Sequence, residues 1–153
     1  MTKQLDTTWK MLRLTYGLVP IVAGADKFTN LLVDWKQYAS PLLGNLPLSP
    51  LMMVVGVIEI VAGILVLARP RLGAYVVAAW LAAIAGNLIT TGHYFDVAVR
   101  DLVMAIGAFG FAKLSEARAE AATDTRYRAA KIAVSSASSA ARVLASNSIS
   151  SAG

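Results

Sequence analysis

Asp26, Lys27, Glu59, Asn87, Arg100 and Asp101 are polar or ionisable residues set within, or at the ends of, long apolar runs. An ionisable group in such surroundings is costly, and it is tolerated where it meets a partner or lines a polar cavity. The charges nearly balance, Lys27 and Arg100 against Asp26, Glu59 and Asp101. Two kinds of chemistry fit this set. In the first, Glu59–Arg100 and Asp101–Lys27 are ion pairs that fix helix register. In the second, the cluster is a polar pocket for a quinone head group, a proton or a small polar ligand, and Glu59, the deepest of the set, is its best functional candidate.

His93 is the single histidine, in Thr91-Gly92-His93-Tyr94-Phe95-Asp96. One histidine can ligate a haem or chlorophyll axially; the alternative is a side chain resting among aromatics in an interfacial turn. The chain has no cysteine, which excludes disulfides, thiolate metal sites and cysteine nucleophiles. It has no glycine-rich phosphate loop after a strand, no catalytic triad set and no metal-ligand cluster. No metal is therefore expected.

The elements that must position these groups follow from the apolar runs. Leu72 to Thr91 carries no charge, and Leu51 to Ala68 carries only Glu59. A helix of ~20 residues at ~1.5 Å per residue matches a hydrocarbon layer of ~30 Å. The pattern predicts an all-α integral membrane four-helix bundle, with helices over about 11–28, 50–68, 72–91 and 96–114 and a tail over 115–153. Spans in lipid must satisfy their own backbone hydrogen bonds, and runs that are apolar on all sides do not alternate as barrel strands do. Pro50 suits a first helical turn, and Asp96 suits a helix N-terminus. Counted from the outer ends, Glu59 lies roughly 13 Å deep, and Asn87, Arg100 and Asp101 roughly 6 Å. Glu59 shares a face with Gly56 and Gly63; Arg13, Gly17, Pro20, Gly24 and Lys27 line one side of the first helix; Arg100, Met104, Gly107 and Phe111 form a stripe on the fourth. Glycine faces let helices approach closely.

Composition agrees with a lipid solvent. Hydrophobic residues make up 57% and charged residues 15%, against about 25% charged in soluble domains. Mean hydropathy is +0.61. The net charge of +5 does not indicate nucleic acid, because the basic residues flank apolar runs rather than forming a patch interleaved with aromatics. Lys3, Lys10 and Arg13 lie in the N-terminal segment, Arg69 and Arg71 between the second and third runs, and Lys113, Arg118, Arg126, Arg128, Lys131 and Arg142 at the end of the fourth and in the tail. Residues 29–49 hold only Lys36. Four crossings put every basic segment on one side, so both termini face the cytoplasm. A cleaved signal peptide ending at Ala23-Gly24-Ala25 is the rival for the first run. Tyr16 and Pro20 interrupt its apolar core, and three remaining helices would break the charge bias.

Leu31, Leu32, Trp35, Tyr38 and Ala39 fall at helical spacing. They predict a short interfacial helix in the first external loop, anchored by Trp35 and Tyr38, with Pro41, Pro47 and Pro50 shaping the return. That helix is either a plain anchor or a lid over the bundle. The Ala/Ser-rich basic tail is expected to be partly helical, extending the fourth helix, and mobile from Ser135 onward.

These residues resemble the DoxX/DoxD-like family of small four-helix bacterial membrane proteins. The matching pieces are Arg13 with Gly17, Ala23-Gly24-Ala25-Asp26-Lys27-Phe28, Trp35 with Ser40-Pro41, Glu59 with Gly63, and His93-Tyr94-Phe95-Asp96-Val97-Ala98-Val99-Arg100-Asp101-Leu102. The resemblance covers about residues 10–115 and leaves the tail outside. It implies a multi-pass protein of the bacterial inner membrane near quinone-coupled redox chemistry, in a family where several members look like accessory subunits. The leading expectation is a non-catalytic subunit in the lipid bilayer, packed in or beside a larger membrane redox or energy-converting complex, with no intrinsic cofactor and no nucleic-acid partner. The alternative is a quinone-binding oxidoreductase component using the Glu59–Arg100 cluster. A small transporter is a weaker third, since no internal repeat is evident.

Overall fold

The computed structural model describes residues 3–32, 34–39 and 47–150, with side chains as far as residue 139. The described elements are α1 (Lys3–Thr29), a 3-10 turn η1 (Trp35–Tyr38), α2 (Leu48–Ala68), α3 (Pro70–Thr90) and α4 (Phe95–Ser150), with no strand among them. The chain divides into two compact units, Met1–Glu116 and Ala117–Gly153. α2 and α3 are long and apolar enough to cross a membrane. α1 and the first part of α4 carry more charge, Lys3, Asp6, Lys10, Arg13, Asp26 and Lys27 in one and Asp96, Arg100, Asp101 and Lys113 in the other.

In the first unit, α1 and α2 run antiparallel on two glycine contacts, Gly17 against Gly63 and Gly24 against Gly56. A Cβ at Gly24 would lie 2.5 Å from the Gly56 carbonyl oxygen, and one at Gly56 2.6 Å from that of Gly24. The glycines therefore set the approach of the two backbones. Arg69 closes α2 and opens α3, with Pro70 in the first turn, where its missing N–H costs nothing. Gly73 then lies directly against the Val66 backbone. Thr91 caps α3, Gly92 turns the chain at φ +70°, and Tyr94 follows at φ +60°.

The interior of this unit is unusual in what it holds. Ala62, Ala74, Ala85, Ala98, Ala105, Ala108 and Ala112 are buried, together with Asp26, Lys27, Glu59, Asp101 and Ser115. Tyr16, Val66, Val77, Leu88 and Phe111 fill the remaining core. The large aliphatics face outward: Leu14, Leu18 and Val22 on α1; Val54, Val57, Val61 and Ile64 on α2; Val99, Val103 and Ile106 on α4.

Three expectations need correction. α1 begins at Lys3 rather than near Met11; an Asp6–Lys10 pair at 2.7 Å supports the added turns. α4 extends beyond the expected span into the tail, as its first half was expected to do, and runs on past Ser135 to Ser150. Alanine has the highest helix propensity, and Asp124–Arg128 at 3.0 Å adds a pair within the second unit, whose described side chains are almost all exposed. Finally, the interfacial helix expected over 31–39 is only η1, capped by the Asp34 carboxylate on Lys36 N–H at 3.2 Å. The N–H groups of Leu31 and Leu32 bond to Asp26 instead, and Asn30 takes φ +49°, so the backbone leaves helical geometry there. Ser40 and Pro41 lie outside the described residues.

Candidate functional site: a buried ion pair under a tryptophan

Asp26 and Lys27 are neighbours on α1, and successive helical residues point about 100° apart. Lys27 turns toward α2, where its Nζ donates to Glu59 Oε2 at 2.6 Å. The two side chains are 3% and 8% exposed. The glycine contact makes this pair: a Cβ at Gly56 would lie 3.2 Å from Lys27 Cβ, and one at Gly24 3.1 Å from Glu59 Cβ. Each glycine leaves room for the ionic side chain of the opposite helix.

Trp35 closes the pair, with Lys27 Nζ 3.6 Å from its ring centroid. A cation over an indole face is attracted by the ring quadrupole. Asp26 holds the tryptophan there. Its Oδ2 accepts from Trp35 Nε1 at 2.7 Å, and its Oδ1 accepts from Leu31 and Leu32 N–H, both at 3.0 Å. Asp26 is thus an anchor for the loop rather than a member of the ion-pair set.

The expected pairings Glu59–Arg100 and Asp101–Lys27 are replaced. Glu59 bonds Lys27, and buried Asp101 accepts from its neighbour Arg100 at 3.2 Å. The Arg100 side chain is 65% exposed. The buried face of α4 is Ala98, Asp101, Ala105, Ala108, Phe111, Ala112 and Ser115; of the stripe expected through Arg100, Phe111 is buried, while Asp101 rather than Arg100 faces inward. A run of small residues at three- and four-residue steps was the available signal.

Asn87 Nδ2 donates to the Tyr38 carbonyl at 2.9 Å and ties α3 to the loop. The Tyr38 ring meets Trp35 at 6.2 Å and Tyr94 at 4.8 Å, and His93 lies against Tyr94. His93 is exposed, its backbone closed on Thr91 Oγ1. No group of three His, Cys, Asp or Glu residues suited to a metal ion occurs among the described residues.

A second polar set, not anticipated as a site, lies at the other end of the first unit. Glu116 accepts from Arg71 at 3.1 Å, Tyr75 at 3.1 Å and Lys113 at 3.0 Å. The hydrogen bond from Lys113 comes first, then that from Tyr75, in holding this carboxyl below its ordinary value. Trp9 Nε1 donates to Ser115 Oγ at 3.0 Å, Tyr16 OH to the Met104 carbonyl at 3.0 Å, and Arg13 to the Leu67 carbonyl. Trp9, Tyr16 and Tyr75 stand among basic residues in the sequence, as aromatic interface residues do.

Beside Trp35 lies an open groove of about 370 Å³, walled by Leu18, Val19, Val22, Ala23, Leu32 and Trp35. The site thus joins a closed ion pair, an aromatic cover and an apolar flank. No family model, curated protein or solved structure matches this chain.

Proposed function

We propose that residues up to about 114 form a four-helix bundle embedded in a membrane, as the DoxX-like resemblance implies, and that the protein serves there as a non-catalytic subunit. The observation that carries the membrane assignment is the inverted interior. Alanines, glycines and four charged side chains make up much of the interior around Val66, Val77, Leu88 and Phe111, while most other leucines, valines and isoleucines lie outside. Helices in lipid associate through small residues, and their ionised groups hide from the acyl chains. The charge bias supports both termini on the cytoplasmic side, and the DoxX-like resemblance supports a bacterial inner membrane.

The non-catalytic role draws on the state of the cluster. Lys27 is bound to Glu59, and Asp26 is occupied by loop donors. A buried pair of this kind fixes register. The quinone alternative has less support, because Glu59 is already engaged. Outward aliphatic faces suit lipid and the helices of a larger membrane complex.

The test replaces the pair by apolar residues, Lys27→Met with Glu59→Leu. A register device tolerates this exchange, since such replacements of buried pairs are often neutral or stabilising. The double variant should remain in the membrane and co-purify in mild detergent with the same neighbouring subunits as the parent. Loss of a measurable redox or binding activity with assembly intact would overturn the non-catalytic role. Recovery of the parent only as a free monomer would overturn the subunit role.

A further inference from the structure

We infer that Arg13 and Arg69 hold the phosphate of one anionic phospholipid at the cytoplasmic end of the first unit; the inference rests on the membrane assignment proposed above. Arg13 is half-buried on α1. Its Nη2 donates to the Leu67 carbonyl of α2, and its guanidinium lies over the Trp9 ring, 5.4 Å from the centroid. Its Nε is buried and meets no acceptor among the described residues. A guanidinium carries five N–H donors, and a buried donor is costly to leave unpaired, most of all on a charged group. No carboxylate pairs with Arg13 among the described residues. The carbonyl and the indole fix the group in place, and an anion is wanting.

Arg69 stands two residues beyond Leu67, at the junction of α2 and α3, where it is exposed. Among the described residues it has no carboxylate either. The acidic residues at this end are already engaged, Asp6 by Lys10 and Glu116 by Arg71 and Lys113. The level of the two arginines identifies the anion. Arg13 precedes Lys27 by about 21 Å along α1. In the proposed orientation it stands at the inner edge of the hydrocarbon layer, where the phosphates of the cytoplasmic leaflet lie. Leu14 and Leu18 on α1 and Ile64 on α2 face outward beside it and offer acyl chains an apolar surface. Basic pockets between membrane helices on that side bind anionic head groups, and the planar fork of arginine matches phosphate.

The experiment reconstitutes the full chain in nanodiscs of phosphatidylcholine and phosphatidylglycerol and extracts it in mild detergent. A wash in about 1 M salt shortens the Debye length to about 3 Å, so that only contacting charges hold an anion. Retained lipids are then counted by native mass spectrometry. The parent should keep one phosphatidylglycerol. Arg13→Lys, which keeps the charge and loses the fork, should lower retention about tenfold. Arg69→Gln, at an exposed position, should lower it about fivefold, the worth of one basic residue. Lys113→Gln removes a charge already committed to Glu116 and should match the parent. In the parent, phosphatidylglycerol with a photoreactive head group should crosslink within residues 9–16 or 64–72, a measurement independent of how the variants fold. Equal losses in Lys113→Gln and Arg69→Gln, crosslinks confined to other segments, phosphatidylcholine retained as well as phosphatidylglycerol, full displacement of the lipid by inorganic phosphate, or no lipid held by the membrane-embedded parent would each overturn the site. A parent found outside the membrane fraction would overturn the membrane assignment itself.

Discussion

The two ends of the first unit handle charge in opposite ways. At one end, Lys27 and Glu59 are buried and paired under one aromatic ring. At the other, Glu116 is reached by three donors, and the Arg71 and Lys113 side chains are 67% and 57% exposed. The difference is one of solvent. An exposed ion pair adds little because water and salt already stabilise its members. A buried pair gains little over an apolar pair, yet breaking it strands a charge. The Lys27 end is therefore intolerant of single changes, and the Glu116 end is forgiving.

Single substitutions should expose that asymmetry. Glu59→Ala leaves the Lys27 ammonium buried without its carboxylate and should cost about 3–5 kcal/mol, read as loss of folded protein in detergent on heating. A much smaller loss would mean that the pair is solvated. Gly56→Ala places a methyl against the Gly24 carbonyl and Lys27 Cβ; overpacking of this kind should cost about 1–3 kcal/mol. Gly110→Ala, where a Cβ meets nothing within 4 Å, should not destabilise and serves as the control. Trp35→Leu removes the cation–ring contact and should cost about 0.5–2 kcal/mol, with the loop becoming more susceptible to protease.

The smallest effect belongs to the other end. The Glu116 pKa in the folded chain lies below its ordinary 4.5. Its contribution is therefore present above the unfolded value and is lost as pH falls through the folded one. Glu116→Gln should flatten a slight acid destabilisation in that window and change nothing at neutral pH beyond the loss of exposed contacts. An equal effect at pH 7 and in acid would contradict the assignment.

The contrast also shows what the sequence could carry. Gly56, Glu59 and Gly63 share a buried face because helical phase is a property of spacing alone. The ion pairing was not legible, since Lys27 finds Glu59 only through the depth at which two antiparallel helices touch. Arg100 and Asp101 are adjacent, and which of them faces inward depends on a rotation of about 100°; the alanines 105, 108 and 112 settle it in favour of Asp101. The Asp26 latch was hidden for another reason. A carboxylate among apolar residues suggests an ionic partner, whereas here indole and backbone N–H groups satisfy it. The helix through Ser150 reflects alanine propensity, which the serines of the tail obscured.

The proposed membrane embedding places lipid around the outward aliphatic faces of the first unit. The chain lacks cysteine, so Gln37→Cys in η1 and Ser136→Cys in α4 provide clean reporters. With a membrane-impermeant maleimide on intact cells, the account predicts labelling at position 37 and protection at 136 until the membrane is broken. Labelling at 136 in intact cells, or a chain that leaves the membrane fraction without detergent, would contradict it.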